Sequence, residues 1–194
     1  MSLLNSLLWS VVNDQIATQI SKATGLSEEQ TKKAVSMAMP LLMGAVAKNS
    51  TSNDGAESLN KALDKHDGSV LDNLDINSLL NGDDGQKILG HILWSKTVQA
   101  EQAIAKETGA STDQIANIMK IAGPLLMGAL GKEKKTQWLD LGGLTSLLSN
   151  EKQAMKSDWS IQSMIFDFID QNDDGSIIDD LFNFASKMLQ GNKK

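Results

Sequence analysis

Apolar residues recur every three or four positions along most of this chain, which is the spacing of amphipathic and buried helices. The first such stretch, residues 3–20, carries an apolar face wide enough for a well-buried helix. Residues 28–47 begin amphipathic and become apolar on every side from Met37 onward, which predicts a central helix inside a bundle. A further helix is predicted over residues 86–108, with a bend at Ser95. We therefore predict an all-α protein, a multihelical bundle.

The central apolar stretch occurs twice. Residues 20–48 align without gaps on residues 104–132, with fourteen identical positions out of twenty-nine. Each copy contains a helix that ends at a Thr-Gly pair, a capping box that starts at a serine, and a second, apolar helix. Two such helical hairpins are too apolar to stand alone. We predict that they bury their central helices against one another about a pseudo-twofold axis.

The two prolines of the chain, Pro40 and Pro124, occupy matching places in the two copies. Each lies well inside a predicted helix, where the missing N–H and the bulk of the ring predict a kink or a break. A kink can simply bend a core helix around its neighbours. It can also line a binding pocket together with Met37, Met39 and Met43, since thioether side chains repack easily. Both interpretations stay open at this point.

We predict one all-α domain over residues 1–194, built from two halves that carry the repeat, with residues 150–194 as a C-terminal helical extension. The apolar N-terminus has no preceding lysine and no small-residue cleavage site, so we do not expect a secretory signal. No apolar run reaches the roughly 18–20 residues that a membrane-spanning helix needs. The lysine-rich residues 132–135 are expected to form a solvated turn.

Composition removes several classes of function. Cysteine is absent, so disulfides, thiolate metal sites and a cysteine nucleophile are excluded. The net charge is −6, and all eighteen basic residues are lysines. Proteins that bind nucleic acid normally present a basic face and use arginine for contacts to phosphate and guanine. We therefore expect no nucleic-acid partner.

Two segments carry a family resemblance. The sequence HDGSVLDNL at residues 66–74 and the sequence ILGHI at residues 88–92 follow an alanine-rich helix that contains Pro40-Leu41-Leu42. In this combination the chain resembles the bacterial YidB-like family, domain of unknown function family 937, most closely over residues 20–131. The resemblance implies a multihelical fold with a buried central helix and a bacterial source. It implies no activity, because the family offers no catalytic residues to carry over.

The chain has two histidines, His66 and His91, and no tyrosine. A zinc site or a general acid–base pair would require both to converge with a carboxylate. Structural roles in a turn and on an apolar helix are the alternative. No nucleophile elbow and no phosphate-binding glycine loop is present. We therefore predict no catalytic residue, no cofactor and no enzymatic activity.

One segment, residues 170–181, has the spacing of a calcium loop over its first eight positions, including the glycine at position 6. Position 12 is Leu181 where a bidentate acid is required, so any binding would be weak. The alternative is an ordinary helix N-terminus capped by an Asp-Gly-Ser turn. The candidate calcium ligands are Asp170, Asn172, Asp174, Ser176 and Asp180.

Three classes of function remain, and we expect the first. It is a non-enzymatic interaction or scaffold protein with an unknown protein partner, acting as a monomer or homodimer in the bacterial cytoplasm. The second is a protein that binds a small apolar ligand or a lipid in a Met-lined pocket between the repeated helices. The third is an enzyme with an unrecognised site. An exposed apolar patch would favour the first class, and an apolar pocket between the repeats would favour the second.

Overall fold

Every regular element is helical in the part of the chain that the computed structural model describes, residues 3, 6 and 14–157. The predicted all-α fold class is thereby confirmed. The elements in chain order are α1 (Asp14–Thr24), α2 (Glu28–Asn49), α3 (Asn53–Leu63), α4 (Ser69–Asp72), α5 (Ile76–Asn81), α6 (Asp84–Leu93), a 3₁₀ turn (Trp94–Lys96), α7 (Thr97–Thr108), α8 (Thr112–Thr136) and α9 (Leu141–Ser157).

The two proline-containing helices, α2 and α8, pack against each other at the centre. Residues 37–47 of α2 and residues 121–131 of α8 are all buried, and Met39, Met43 and Met119 are fully buried in one continuous core. Helices α6 and α7 cover α8, whereas α1 and α9 cover α2. Burial of each large apolar side chain contributes about 1.5–3 kcal/mol, so this contact dominates the stability of the fold.

Both central helices begin with the predicted capping box. The hydroxyl of Ser27 accepts from the backbone N–H of Gln30, and the Gln30 side chain accepts from the Ser27 N–H. Ser111 and Gln114 repeat this arrangement in the second copy. The glycine that ends each preceding helix has φ near +70°, the left-handed conformation that glycine adopts without strain.

The side chains of the same two glutamines also form hydrogen bonds between the two copies of the repeated sequence. The Nε2 atom of Gln30 donates to the carbonyl oxygen of Thr108, 3.3 Å away at the end of α7. In return, Nε2 of Gln114 donates to the carbonyl oxygens of Gly25, at 2.9 Å, and Thr24, at 3.4 Å, at the end of α1. Each capping box therefore also satisfies a backbone carbonyl at the helix end of the other copy.

Both central helices continue through their prolines. Helix α2 runs on from Pro40 to Asn49, and α8 runs on from Pro124 to Thr136. The predicted break does not occur in either helix, and the alternative outcome, a kink, stays a prediction. In α8 the proline leaves the carbonyl of Lys120 without its helical donor.

The first turn of α6 lies against this freed carbonyl. A methyl group at Gly85 would be 2.2 Å from the carbonyl oxygen of Lys120, so only glycine allows α6 to approach so closely. Gly131, one residue before the C-terminal lysines of α8, makes a similar approach to the loop after α3. A methyl group there would be 1.6 Å from the carbonyl oxygen of His66. Because Gly85 and Gly131 have no side chain, two backbone segments can pack closely on α8.

The prediction of a solvated turn at residues 132–135 is wrong. These residues belong to α8, which continues to Thr136. Their lysines face the segment that follows α3, and that segment supplies an aspartate for each of three lysines. This arrangement holds residues 64–72 against the end of α8, although exposed pairs of this kind contribute only about 0–1 kcal/mol each. The pairs are Lys134–Asp64 at 2.5 Å, Lys132–Asp72 at 2.8 Å and Lys135–Asp67 at 3.6 Å.

One carboxylate, Glu101 of α7, is largely buried where α7 packs on α8. Burial raises the pKa of this carboxyl above its usual value, the positive charge of Lys120 opposes the shift, and the negative charge of Asp113 adds to it. Because the folded state then binds the proton more tightly than the unfolded state, ionisation of Glu101 at neutral pH costs stability.

The substitution Gly131→Ala is expected to destabilise the protein. The clash with the His66 carbonyl should cost about 1–3 kcal/mol, more than the gain in helix propensity of at most about 1 kcal/mol. Gly90→Ala is the matched control, because Gly90 lies in α6 with open space where its methyl group would be. Urea unfolding followed by circular dichroism measures both free energies. Equal stability gains in the two variants would contradict the close approach at Gly131.

The substitution Glu101→Gln is expected to raise the urea midpoint at pH 7, because it removes a buried charge. The gain should shrink as the pH falls through the raised pKa of Glu101, and should vanish near the unfolded pKa of about 4.3. Glu107→Gln, on an exposed residue of the same helix, is the control and should show no such gain. A loss of stability in Glu101→Gln at pH 7 would show instead that Lys120 makes the ionised carboxylate favourable.

Candidate functional site

Three large apolar side chains are exposed in the described part of the chain. Trp94 is 72% exposed, Val98 is 55% exposed and Trp138 is 92% exposed. An exposed tryptophan lacks the stabilisation that burial of its large apolar surface would contribute to the fold. Exposed apolar side chains that lie together are candidates for binding a partner, and tryptophan is enriched among the residues that dominate binding energy.

Both tryptophans also have an unusual backbone. Their φ angles are 54° for Trp94 and 53° for Trp138, values that residues with large side chains rarely adopt. Trp94 ends α6 with ψ at −130°, at the junction with the 3₁₀ turn. Such strain costs about 1–3 kcal/mol and persists only where the surrounding structure imposes it. Nearby, the side-chain amide of Asn49 donates to the carbonyl oxygen of Ile92 at 2.8 Å, which fixes the end of α6.

Trp94 and Val98 lie four residues apart across the start of α7, with Lys96 between them. Residues 85–100 contain two lysines and one exposed histidine, His91, but no acid. Trp94, Lys96 and Val98, which we call the Trp94 surface, therefore combine two exposed apolar side chains with one lysine, since Lys87 lies 3.8 Å from Asp83.

The two histidines are not brought together with a buried carboxylate. The Nδ1 atom of His66 lies 3.8 Å from Oδ2 of Asp84, a carboxylate that is mostly exposed. His91 is exposed on α6. Among the described residues, no group of three or more histidine or acidic side chains is arranged to hold a metal ion.

A groove of about 490 Å³ lies where the α2–α3 junction faces the start of α9. Hydroxyl groups and small side chains form most of its wall. The methionines of the predicted pocket do not line it, because Met37, Met39 and Met43 are buried in the core. The lining residues are Ala47, Ser50, Thr51, Ser52, Asn53, Ala56, Leu141, Gly142, Thr145, Leu148 and Ser149.

The predicted calcium loop lies outside the described residues. This applies to all five of its candidate ligands, which are Asp170, Asn172, Asp174, Ser176 and Asp180. The loop therefore stays a prediction, as does the C-terminal extension beyond Ser157. Of the helices described, none combines the length and the apolar character required to cross a membrane.

Sequence reasoning missed the exposed tryptophans. Trp94 and Val98 continue the apolar pattern of the buried residues Ile92 and Leu93, so periodicity assigns them to the core. The sequence before Trp138 does indicate that this residue is exposed. It follows a polar, lysine-rich stretch and no apolar partner precedes it at helical spacing, which is typical of an exposed position.

The family described as bacterial protein of unknown function, DUF937, matches residues 6–133, which include α1 to α7 and nearly all of α8. The match contains both segments that carry the resemblance, residues 66–74 and residues 88–92. No curated protein and no solved structure gives a significant match. Because the match covers more than half of its length, the chain belongs to the DUF937 family of bacterial proteins of unknown function.

Proposed function

We propose that this chain is a non-enzymatic bacterial interaction protein that binds a protein partner at the Trp94 surface. The observation that carries this proposal is the 72% exposure of Trp94, next to exposed Val98, in a fold whose other large apolar side chains are mostly buried in one core. A tryptophan presented in this way can supply a large share of the binding energy of an interface.

The backbone of Trp94 supports the same proposal. Its φ is 54° at the junction of α6 with the 3₁₀ turn, and strain of this kind persists only where the surrounding structure imposes it. A preorganised contact residue binds more tightly because less conformational entropy is lost on association. The strain is therefore expected to serve binding at the expense of stability.

The local charge suggests the chemistry of the partner. Lys96 lies between Trp94 and Val98 in the sequence, and no acid lies between Asp84 and Glu101. Charge complementarity increases the association rate and excludes partners of the wrong sign. The proposed partner therefore presents an apolar segment flanked by aspartates or glutamates.

We further propose that the rest of the described fold is the rigid support for this surface, built from two hairpins, α1–α2 and α7–α8, related by a pseudo-twofold axis. The reciprocal bonds support this arrangement, since Gln30 donates to Thr108 and the equivalent Gln114 donates to Thr24 and Gly25. Kinks at the two prolines would wrap α2 and α8 around each other. The lack of cysteine is compatible with the reducing cytoplasm, where we place the protein as a monomer or homodimer.

The second candidate function is binding of a small ligand. The supporting observation is the groove between the α2–α3 junction and α9, and not a pocket between the repeated helices. Its volume of about 490 Å³ falls within the range of about 300–1,000 Å³ typical of ligand sites. The hydroxyl groups of Ser50, Thr145 and Ser149 in its wall favour a ligand with polar groups over a purely apolar one. Native mass spectrometry of protein purified from its source would detect such a ligand.

The binding proposal is tested with Trp94→Ala, with Trp138→Ala as the matched control. Proteins captured by the wild type from a bacterial lysate are identified, and binding of the purified partner is then measured by titration calorimetry. Trp94→Ala should weaken binding by about 2 kcal/mol or more, roughly 30-fold, whereas Trp138→Ala should leave it within about twofold. A partner that binds both variants equally would exclude the Trp94 surface as its site.

A second variant separates binding from folding. Trp94→Gly should be at least as stable as the wild type, because glycine adopts positive φ freely and the lost side chain is mostly exposed. It should nevertheless fail to bind the partner. Urea unfolding measures the first effect and calorimetry the second. A marked loss of stability would show that Trp94 is a structural residue.

A further inference from the structure

We propose that the groove between the α2–α3 junction and the start of α9 binds a neutral molecule that carries several hydroxyl groups, as sugars and other polyols do. The proposal names the ligand class for the second candidate function above and rests on it, whereas the Trp94 surface takes no part in it. The observations that carry it are the groove's volume of about 490 Å³ and the chemistry of the residues that form its wall.

The charges in and beside the groove favour a neutral ligand. No charged side chain lines the wall. Two carboxylates adjoin wall residues in sequence, Asp54 in the first turn of α3 and Asp140 directly before α9. They offset the positive ends of the two helix dipoles, so an anion gains little there. A cation would lose part of its hydration without a carboxylate in the wall to pair with.

Three hydroxyl groups of the wall are available mainly as acceptors. Those of Ser50, Thr51 and Thr145 each donate their proton to a backbone carbonyl oxygen three or four residues earlier, at 2.8, 2.8 and 2.9 Å. A hydroxyl group whose proton is used in this way still has lone pairs to offer. The ligand therefore has to supply donors, and a neutral ligand supplies them as O–H or N–H groups.

The spacing of the polar groups favours a polyol over an amide. Residues 50–53 are polar and all line the groove, and their Cα atoms follow one another at about 3.8 Å. The amide of Asn53 and the hydroxyl of Ser149 add donors to the acceptors. Each hydroxyl of a sugar both donates and accepts, and it is attached to a carbon beside another that carries a hydroxyl. A row of closely spaced mixed groups matches that pattern, whereas one amide matches only a single pair.

The rest of the wall is apolar. Ala47, Ala56 and Leu148 are buried and Leu141 is partly buried, so packing against the core fixes this side of the groove. Ligand sites typically combine such a surface with a few well-placed polar groups. The C–H groups of a sugar ring can pack here while its hydroxyls bind at residues 50–53. A small ion has no apolar face to match this surface.

The ligand class is tested by titrating the full-length, ¹⁵N-labelled protein and recording its amide NMR signals. The probes are glucose, protonated glucosamine and glucuronate, which share one ring and differ in charge, and N-acetylglycinamide, which has amides but no hydroxyl. Glucose should shift the signals of residues 50–56 and 141–149 and leave those of residues 85–100 in place. Maltotriose should bind more tightly than glucose only if the natural ligand is the end of a glycan and not a free sugar.

Two results would overturn the ligand class. One is the absence of glucose-dependent shifts at residues 50–56 and 141–149. The other is equal or tighter binding of glucosamine, glucuronate or N-acetylglycinamide at the same residues, which would assign the groove to a cation, an anion or an amide.

Variants place the ligand in the groove. Thr145→Val keeps the shape of the side chain and should weaken glucose binding about threefold to tenfold, the effect of one lost hydrogen bond. Thr18→Val is the matched control, because the Thr18 hydroxyl also donates to a backbone carbonyl, at 2.7 Å, but lies outside the wall. Unchanged binding in Thr145→Val, or an equal loss in Thr18→Val, would contradict the proposal.

A second variant fills the groove. At Gly142 an added Cβ atom would have one near neighbour, Oδ1 of Asp140 at 3.6 Å, which is ordinary contact, so Gly142→Leu should fold normally. Circular dichroism checks the fold. The leucine should abolish the glucose-dependent shifts, and their persistence would show that the sugar binds elsewhere.

The ligand class and the small-ligand function can fail separately. If glucose gives no shifts but wild-type protein purified from its source carries a compound that Gly142→Leu loses, the polyol class is wrong and the small-ligand function stands. If Gly142→Leu retains the compound, the groove is not its site and the small-ligand function is wrong. Trp94→Ala should bind glucose as the wild type does, and a loss there would overturn the placement in the groove.

Discussion

Two helices that are apolar on every side must be covered on every side, and the rest of the described fold meets this requirement. Residues 37–47 of α2 and residues 121–131 of α8 are all buried, including the small ones that allow the helices to approach closely. Packing them on each other covers only one face of each. The remaining helices are short and amphipathic because each has to supply one apolar face to this pair.

The two copies have diverged in how they are covered. The second copy has Gly123 and Gly131 where the first has Met39 and Ala47, and the absence of a side chain at Gly131 lets another backbone segment approach α8 closely. Helix α8 thereby receives the loop after α3 and the first turn of α6, whereas α2 receives the side chains of α9. One of the two segments that carry the resemblance to the family, residues 66–74, is held against α8 by these contacts.

Local sequence rules predicted the helix ends well. The boxes at Ser27 and Ser111 and the glycines before them involve neighbours within a few residues, so spacing alone identifies them. The lysine–aspartate pairs and the exposure of Trp94 could not be predicted, since they depend on which distant elements meet. An apolar residue on a helix indicates burial only where a neighbouring element covers that face, and nothing in the described residues covers Trp94. The predicted site at Asp170 lies outside the described residues.

The reciprocal glutamine bonds have a consequence for cooperativity. Gln30 donates to the helix end of the second copy, and Gln114 donates to that of the first, so each copy supplies a hydrogen bond to the other. Separating the copies would replace these bonds with bonds to water at both ends of the contact at once. The two copies are therefore expected to unfold in a single transition.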